Sequence, residues 1–243
     1  MNKRVLITGG AKGLGASITK YFAKNGYDII FTYYKSEDRA RELKKILERE
    51  FDVKVEVIKA NFLIDEDIES LIEQIEDIDV LINNAAYNDD DDIFAKDADA
   101  FLKTYRINAV APFLLSKGLY EILKKKNGTI INIASTNGID TMYPESIDYD
   151  ASKAALINIT KNLATAFAPH VRVNAIAPGW IDTPSTEDME RKFRESEENK
   201  ILMHRFANPD EIAKLVYFVA SDDASYMNGS TIRIDGGINH GNR

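Results

Sequence analysis

The 243-residue sequence predicts an α/β fold, a single doubly wound parallel sheet with helices on both faces. Three observations predict it. Short β-branched apolar runs alternate with helical patterns along the whole chain. The runs lack polar alternation, as strands buried on both faces do. The first of them opens directly into a glycine-rich turn and a helical pattern. Hydrophobic residues make up 44% of the chain, enough for one large core, and no Pro/Gly/Ser-rich stretch marks a linker. One domain spanning residues 1–243 is expected.

In order, the strands are expected at Arg4–Thr8, Asp28–Tyr33, Lys54–Lys59, Asp79–Ile82, Gly128–Ala134, Arg172–Ala177 and Thr231–Ile234. Helices fit between them. Ala40, Leu43 and Leu47 recur at helical spacing after Ser36-Glu37-Asp38. Ile68, Leu71, Ile72 and Ile75 follow i, i+3, i+4, i+7, with acids in the first turn. Ala151, Ala155, Ile159, Leu163 and Phe167, spaced by four, form an apolar stripe. Asn208-Pro209-Asp210-Glu211 is a helix start, with a capping side chain, a proline at the first helical position and a glutamate at the third. There is no internal repeat and no low-complexity segment.

The net charge of −8 argues against a nucleic-acid or anionic-membrane surface, which needs a basic face. Phosphorylated small molecules stay open, because local dipoles and one or two cations hold them. The absence of cysteine excludes disulfides, thiolate zinc sites and Cys nucleophiles. His170, His204 and His240 lie far apart, and neighbouring side chains in Asp89-Asp90-Asp91-Asp92 point in different directions, so no metal site is expected. Val5-Leu6-Ile7 is too short for a signal-peptide core, and no apolar run approaches a membrane span. A cytoplasmic protein is expected.

Two segments carry chemistry. In Thr8-Gly9-x-x-x-Gly13-x-Gly15, Gly9 permits a tight turn, while Gly13 and Gly15 leave no Cβ to block a pyrophosphate at the helix N-terminus. The second strand ends in Thr32-Tyr33-Tyr34-Lys35, without the carboxylate that binds a ribose 2′-hydroxyl. Lys12 and Lys35 instead favour a 2′-phosphate, hence NADP. The second segment is Tyr149-x-x-x-Lys153. That pattern alone is weak, since Tyr120 and Lys124 share it. Tyr149, however, lies 14 residues after Ser135, which follows a strand; Tyr120 has no such serine. Four residues apart on a helix, Tyr149 and Lys153 share a face. An ammonium beside the phenol lowers its pKa, so the phenol can exchange a proton with a carbonyl or alcohol oxygen. Ser135 can hold that oxygen while hydride passes between a nicotinamide and the carbon.

Together these motifs resemble the short-chain dehydrogenase/reductase family over nearly the whole length. Thr8-Gly9-x-x-x-Gly13-Leu14-Gly15 is similar to its cofactor turn. Asn83-Asn84-Ala85-Ala86 resembles the segment after its fourth strand, with Ala86 in place of Gly. Asn108 matches the helix asparagine that completes a tetrad with Ser135, Tyr149 and Lys153 and whose backbone carbonyl, in the family, holds a proton-relaying water. Pro178-Gly179-Trp180-Ile181-Asp182-Thr183 resembles the Pro-Gly stretch facing the nicotinamide carboxamide, and Asp235-Gly236-Gly237 the closing motif. Two departures stand out. Asn61-Phe62 replaces a common Asp at the adenine, where an amide oxygen can still accept. The gap from Ser135 to Tyr149 is one residue longer than is common.

The resemblance implies a Rossmann-type domain binding NADPH through Thr8, Gly9, Lys12, Gly13, Leu14, Gly15, Tyr33, Lys35, Asn61, Phe62, Asn84, Ala85, Tyr149, Lys153, Pro178, Gly179, Ile181 and Thr183. It implies a lid at Thr186–Lys200, a substrate pocket lined by Met142, Tyr143 and Trp180, and a homotetramer that the apolar stripe could serve. Phe206–Ala213 and Ser221–Gly229 are most similar to 3-oxoacyl-carrier-protein reductases, and also occur in sugar and steroid dehydrogenases. A ketone, foremost a 3-oxoacyl thioester, is the expected substrate. Lys124-Lys125-Lys126 suits a helix C-terminus or the docking of an acidic carrier protein. The competing readings are a non-catalytic NADP-binding sensor and a purely structural role.

Overall fold

In the computed structural model, residues 2–186 and 189–238 are described. Among them run β1 (Arg4–Ile7), β2 (Asp28–Tyr33), β3 (Val55–Lys59), β4 (Val80–Asn83), β5 (Thr129–Ile133), β6 (Arg172–Pro178) and β7 (Thr231–Ile234). Each lies within one residue of its expected bounds. All pair in parallel, in the order β3-β2-β1-β4-β5-β6-β7. The order reverses between β1 and β4, and such a reversal opens a crevice at the strands' C-terminal ends.

Helices cover both faces. One face carries α1 (Gly13–Lys24), α2 (Glu37–Glu50) and α9 (Pro209–Ala220); their Ile18, Phe22, Leu43, Leu47, Ile212 and Val216 meet Val5, Ile7, Ile29 and Phe31 of the sheet. The other carries α3 (Asp65–Gln74), α5 (Ala111–Gly118), α6 (Tyr120–Lys126) and α7 (Ile147–Phe167), packed on Leu6, Ile30, Leu81, Ile130 and Val173. Alternate strand residues thus serve opposite cores, as the strand period of two requires. Ahead of α5, α4 (Ala98–Tyr105) runs into a π-helical turn at Arg106–Val110.

The stripe on α7 is only partly covered. Leu163 and Phe167 are buried, while Ala151, Ala155 and Ile159 stay partly exposed. Residues spaced by four advance about 40° per step around a helix, so the stripe winds from the outside into the core. Ser152, Lys153, Leu156 and Thr160 face inward instead. Two buried asparagines on the central strands help to hold this helix. Asn83 Nδ2 donates to Asn132 Oδ1 (2.8 Å), and Asn132 Nδ2 donates to Thr160 Oγ1 (2.9 Å).

Candidate active site

The expected site residues gather at the C-terminal ends of the strands. Thr8 and Gly9 follow β1, Tyr33 ends β2, Asn61 and Phe62 follow β3, Asn84 and Ala85 follow β4, Ser135 follows β5 and Pro178 ends β6. Thr8 is the bracket between β1 and β4: its Oγ1 accepts from the backbone N–H of Asn84 and of Ala85, both at 2.9 Å. Asn84 Nδ2 returns to Thr8 O (2.9 Å) and Gly9 O (3.3 Å).

The glycines of the turn have different reasons. Gly9 has φ +66° and lies so close to Ala85 that a Cβ would meet its Cα at 3.1 Å. Gly13, at φ +53°, faces open space except for Thr183, 3.7 Å from a built Cβ. Gly15 corrects the expectation of a phosphate path: a Cβ there would lie 2.2 Å from Gly9 O, so its absence lets the turn close on the helix. Gly10 was not singled out in the sequence, yet a Cβ there would lie 2.6 Å from Phe31 Cβ.

At the start of α1, Lys12 gives no side-chain cap and the first turn holds no acid, whereas α2, α3 and α9 each carry first-turn acids. Its orphan N–H groups and positive dipole end fit a pyrophosphate. Leu14 packs its side chain on the core. Lys12 and Lys35 are exposed, with Lys35 Nζ 5.7 Å from the Tyr34 ring centroid, and Tyr33 is partly buried. Phe62 is buried in the core, so only its backbone is free to meet an adenine. Asn61 Oδ1 accepts from Leu63 N–H at 3.2 Å, which leaves it one lone pair. Beyond β6, Gly179 N–H donates to Ile234 O (3.0 Å), Ile181 bridges to Ala207, and Thr183 N–H donates to Thr186 Oγ1 (3.0 Å).

Lys153 is 2% exposed, with Nζ donating to Ile133 O (2.8 Å) and standing 5.4 Å from the Tyr149 ring centroid. Burial pulls its pKa down to about 7. Burial also pushes the Tyr149 phenol up to about 12, against the pull of the Ser135 hydroxyl beside it. The expected lowering of Tyr149 by Lys153 is therefore not met in the chain alone: burial raises the phenol, and the pull against it comes from Ser135. A phenol that keeps its proton at neutral pH is in the state a general acid needs. Ser135 is nearly buried; its hydroxyl donates to Asn137 Oδ1 (3.1 Å) and accepts from Asn137 N–H (3.2 Å). Asn108, fully buried in the π turn, exchanges two 2.8 Å hydrogen bonds with the Tyr87 backbone and donates to Ser152 Oγ (3.0 Å), which donates to Tyr149 O (2.7 Å).

Some contacts carried no signal in the sequence. Lys96 Nζ donates to Asp148 Oδ1 at 2.6 Å, with both side chains buried, and Thr104 Oγ1 donates to Asp148 Oδ2 (2.5 Å). This pair pins the loop after β4 to the helix turn bearing Tyr149. In that loop Asp89–Asp92 are exposed, and Asp90 accepts from the Ser146 hydroxyl. Among the described residues no group of His, Cys, Asp or Glu is placed to hold a metal ion. Lys124–Lys126 close α6 just before β5 begins, at the end of that strand opposite Ser135.

The expected lid segment contains α8 (Arg191–Lys200). Its Glu187 and Asp188, like His240, lie outside the described residues. Tyr143 and Trp180 meet edge to face (5.8 Å between centroids), while Met142 is 65% exposed. No helix among the described residues is long and apolar enough to cross a membrane.

A family model described as enoyl-(acyl carrier protein) reductase matches residues 9–239. Similar proteins include the 3-oxoacyl-[acyl-carrier-protein] reductase FabG of Thermotoga maritima, 35% identical over 97% of each chain. The corresponding enzyme of Aquifex aeolicus is 32% identical over 96% of each. Among solved structures, the acetoin dehydrogenase YohF of Salmonella typhimurium is 31% identical, with a TM-score of 0.87 over 98% of this chain and 96% of that one. The L-sorbose reductase of Gluconobacter frateurii, solved with NADPH and L-sorbose, is 28% identical, with a TM-score of 0.91 over 99% and 98%.

Proposed function

This chain belongs to the short-chain dehydrogenase/reductase family of oxidoreductases, and from that premise we propose that it reduces a ketone to a secondary alcohol with NADPH. The observation that carries the proposal is the cluster at the end of β5, where the Ser135 hydroxyl lies beside Tyr149 and the buried Lys153 Nζ stands 5.4 Å from the Tyr149 ring centroid. Two adjacent hydroxyls suit one substrate oxygen: Ser135 orients it and Tyr149 protonates it. Bound NADPH supplies the hydride. Gly9, Gly13 and the uncapped start of α1 would receive its pyrophosphate, and Lys12 and Lys35 its 2′-phosphate. Pro178, Gly179, Ile181 and Thr183 would border the nicotinamide, and Asn108 steadies the helix turn bearing Tyr149. Lys153 carries a pKa of about 7, so a further hydrogen bond or a neighbouring anion readily changes its charge. It is thus suited to hold the ribose and to pass on protons.

The foremost substrate is a 3-oxoacyl thioester, as the names of the curated relatives suggest. A second reading, a small hydroxyketone or sugar, is favoured by the two structural neighbours. A cytoplasmic homotetramer fits both, with the exposed part of the α7 stripe available to another copy. Docking of an acyl carrier protein on Lys124–Lys126 loses support from their place at the far end of β5.

The deciding assay follows NADPH and, separately, NADH oxidation with acetoacetyl-coenzyme A and L-sorbose, and NADP reduction with acetoin. NADPH turnover with the thioester supports the first reading. Turnover with L-sorbose or acetoin alone moves the assignment to the second. Turnover with NADH alone overturns the roles of Lys12 and Lys35.

A further inference from the structure

Helix α8 buries an acid. Its sequence, Arg-Lys-Phe-Arg-Glu-Ser-Glu-Glu-Asn-Lys, presents no apolar stripe, and its buried residue is Glu197, 3% exposed. Glu197 Oε2 accepts from the Tyr143 hydroxyl at 2.6 Å and from Trp180 Nε1 at 3.3 Å, while Oε1 accepts from Lys200 Nζ at 2.6 Å. Trp180 is itself stacked on Phe206 (5.4 Å between centroids, 13° between planes) and so is held from below. Two further contacts touch the same surface: Phe193 meets Trp180 edge to face (6.1 Å between centroids), and the Arg194 guanidinium lies 4.7 Å from the Phe206 ring centroid while pairing with Asp182.

We propose that Glu197 is the latch of the lid, a positioning residue that holds α8 against Tyr143 and Trp180 and thereby sets the wall of the substrate pocket. The proposal rests on the ketone-reductase reading. An acid suits this role better than an apolar residue. A buried carboxylate is tolerated while three donors face it, and it regains full hydration on release, so the closed and open states lie near one another in free energy. A leucine in its place would leave the Tyr143 hydroxyl without its acceptor, while Trp180 Nε1 would keep only its 3.2 Å bond to the Tyr143 oxygen. The latch is also linked to the chemistry by hydrogen bonds. Tyr143 N–H donates to Asp150 Oδ2 (3.1 Å), Asn137 Nδ2 donates to Asp150 Oδ1 (2.6 Å), and Asn137 Oδ1 accepts from Ser135. On the other side, Trp180 directly follows Pro178-Gly179 at the nicotinamide end. Closing the lid therefore orders one loop beside Ser135 and another beside the cofactor.

Trp180 is the sole tryptophan of the chain, so its fluorescence reports the latch without turnover. The experiment compares wild type, Glu197→Ala and Glu197→Gln by acrylamide quenching, by hydrogen exchange, and by ketone KM, kcat and NADPH affinity. In the alanine variant, quenching of Trp180 and exchange of the α8 amides should rise several-fold, while exchange in β5 and α9 stays as in wild type. Ketone KM should rise about tenfold, with kcat and NADPH affinity within about twofold. Glutamine, which keeps one acceptor oxygen, should fall between. Unchanged quenching and α8 exchange in the alanine variant would overturn the proposal. So would exchange that rises equally across the fold, since that marks a merely structural residue. If the wild type turns over no ketone, the reductase reading fails, while quenching and exchange still decide the latch.

Discussion

Lys124 Nζ stands 5.6 Å from the Tyr120 ring centroid and Lys153 Nζ 5.4 Å from that of Tyr149, so as pairs the two Tyr-x-x-x-Lys sets are alike. Their surroundings separate them. Tyr120 packs on Phe167 near the surface, while Tyr149 has Ser135 beside it and a fully buried lysine. That lysine carries an energetic cost. In the unfolded chain Lys153 binds its proton up to its ordinary value of 10.5, but in the fold only up to about 7. Between these values the unfolded state holds more protons, so stability rises with pH and the penalty is largest at and below pH 7. Replacing Lys153 with Met should abolish turnover yet stabilise the cofactor-free protein at pH 7 by on the order of 1–3 kcal/mol, allowing for the lost bond to Ile133 O. Urea denaturation checks this, and the gain should vanish near pH 10.5. A variant no more stable than wild type at pH 7 would mean that the buried amine is already compensated.

At the scale of elements, the strands were legible because β-branched runs bounded by turn residues have few other uses in a chain of this length. The start of α9 was legible too: Asn208 Oδ1 accepts from Asp210 N–H (2.9 Å) and Glu211 returns to Asn208 N–H (2.8 Å), the capping box its four letters spell. The glycine turn was legible in position but not in reason. Gly15 serves helix-to-turn packing, which depends on where Gly9 O points and not on a bound phosphate. Gly15→Ala should therefore cost about 1–3 kcal/mol even without cofactor, as overpacking does. Thermal unfolding of the cofactor-free variant measures it; a stable apo variant that loses only NADPH binding would restore the original reason. The split of residues 98–126 into α4, a π turn, α5 and α6 was not read from the sequence: Pro112 and Gly118 mark the start and end of α5, but nothing within Arg106–Val110 spells the π turn.

Across the whole molecule, what the sequence concealed are charged residues in contact over long separations. Lys96 meets Asp148, and Glu197 meets Tyr143. Charged letters in polar stretches read as solvated surface, and only the closed sheet brings their segments together. The candidate tetrad was readable because its members lie within short local patterns: a serine after a strand, a Tyr-x-x-x-Lys on a helix. Its function depends on the assembled end of the sheet, where the turn after β1 faces the residues after β4, β5 and β6. The central claim is that this end binds NADPH and that the Tyr149 phenol then supplies the proton. It is tested most directly by measuring NADPH affinity and ketone-dependent NADPH oxidation in wild type and Tyr149→Phe. The account predicts affinity within about twofold and a rate lowered by roughly 10²–10⁴, the range of a lost general acid. A phenylalanine variant that turns over at the wild-type rate, or a wild type that does not bind NADPH, would contradict it.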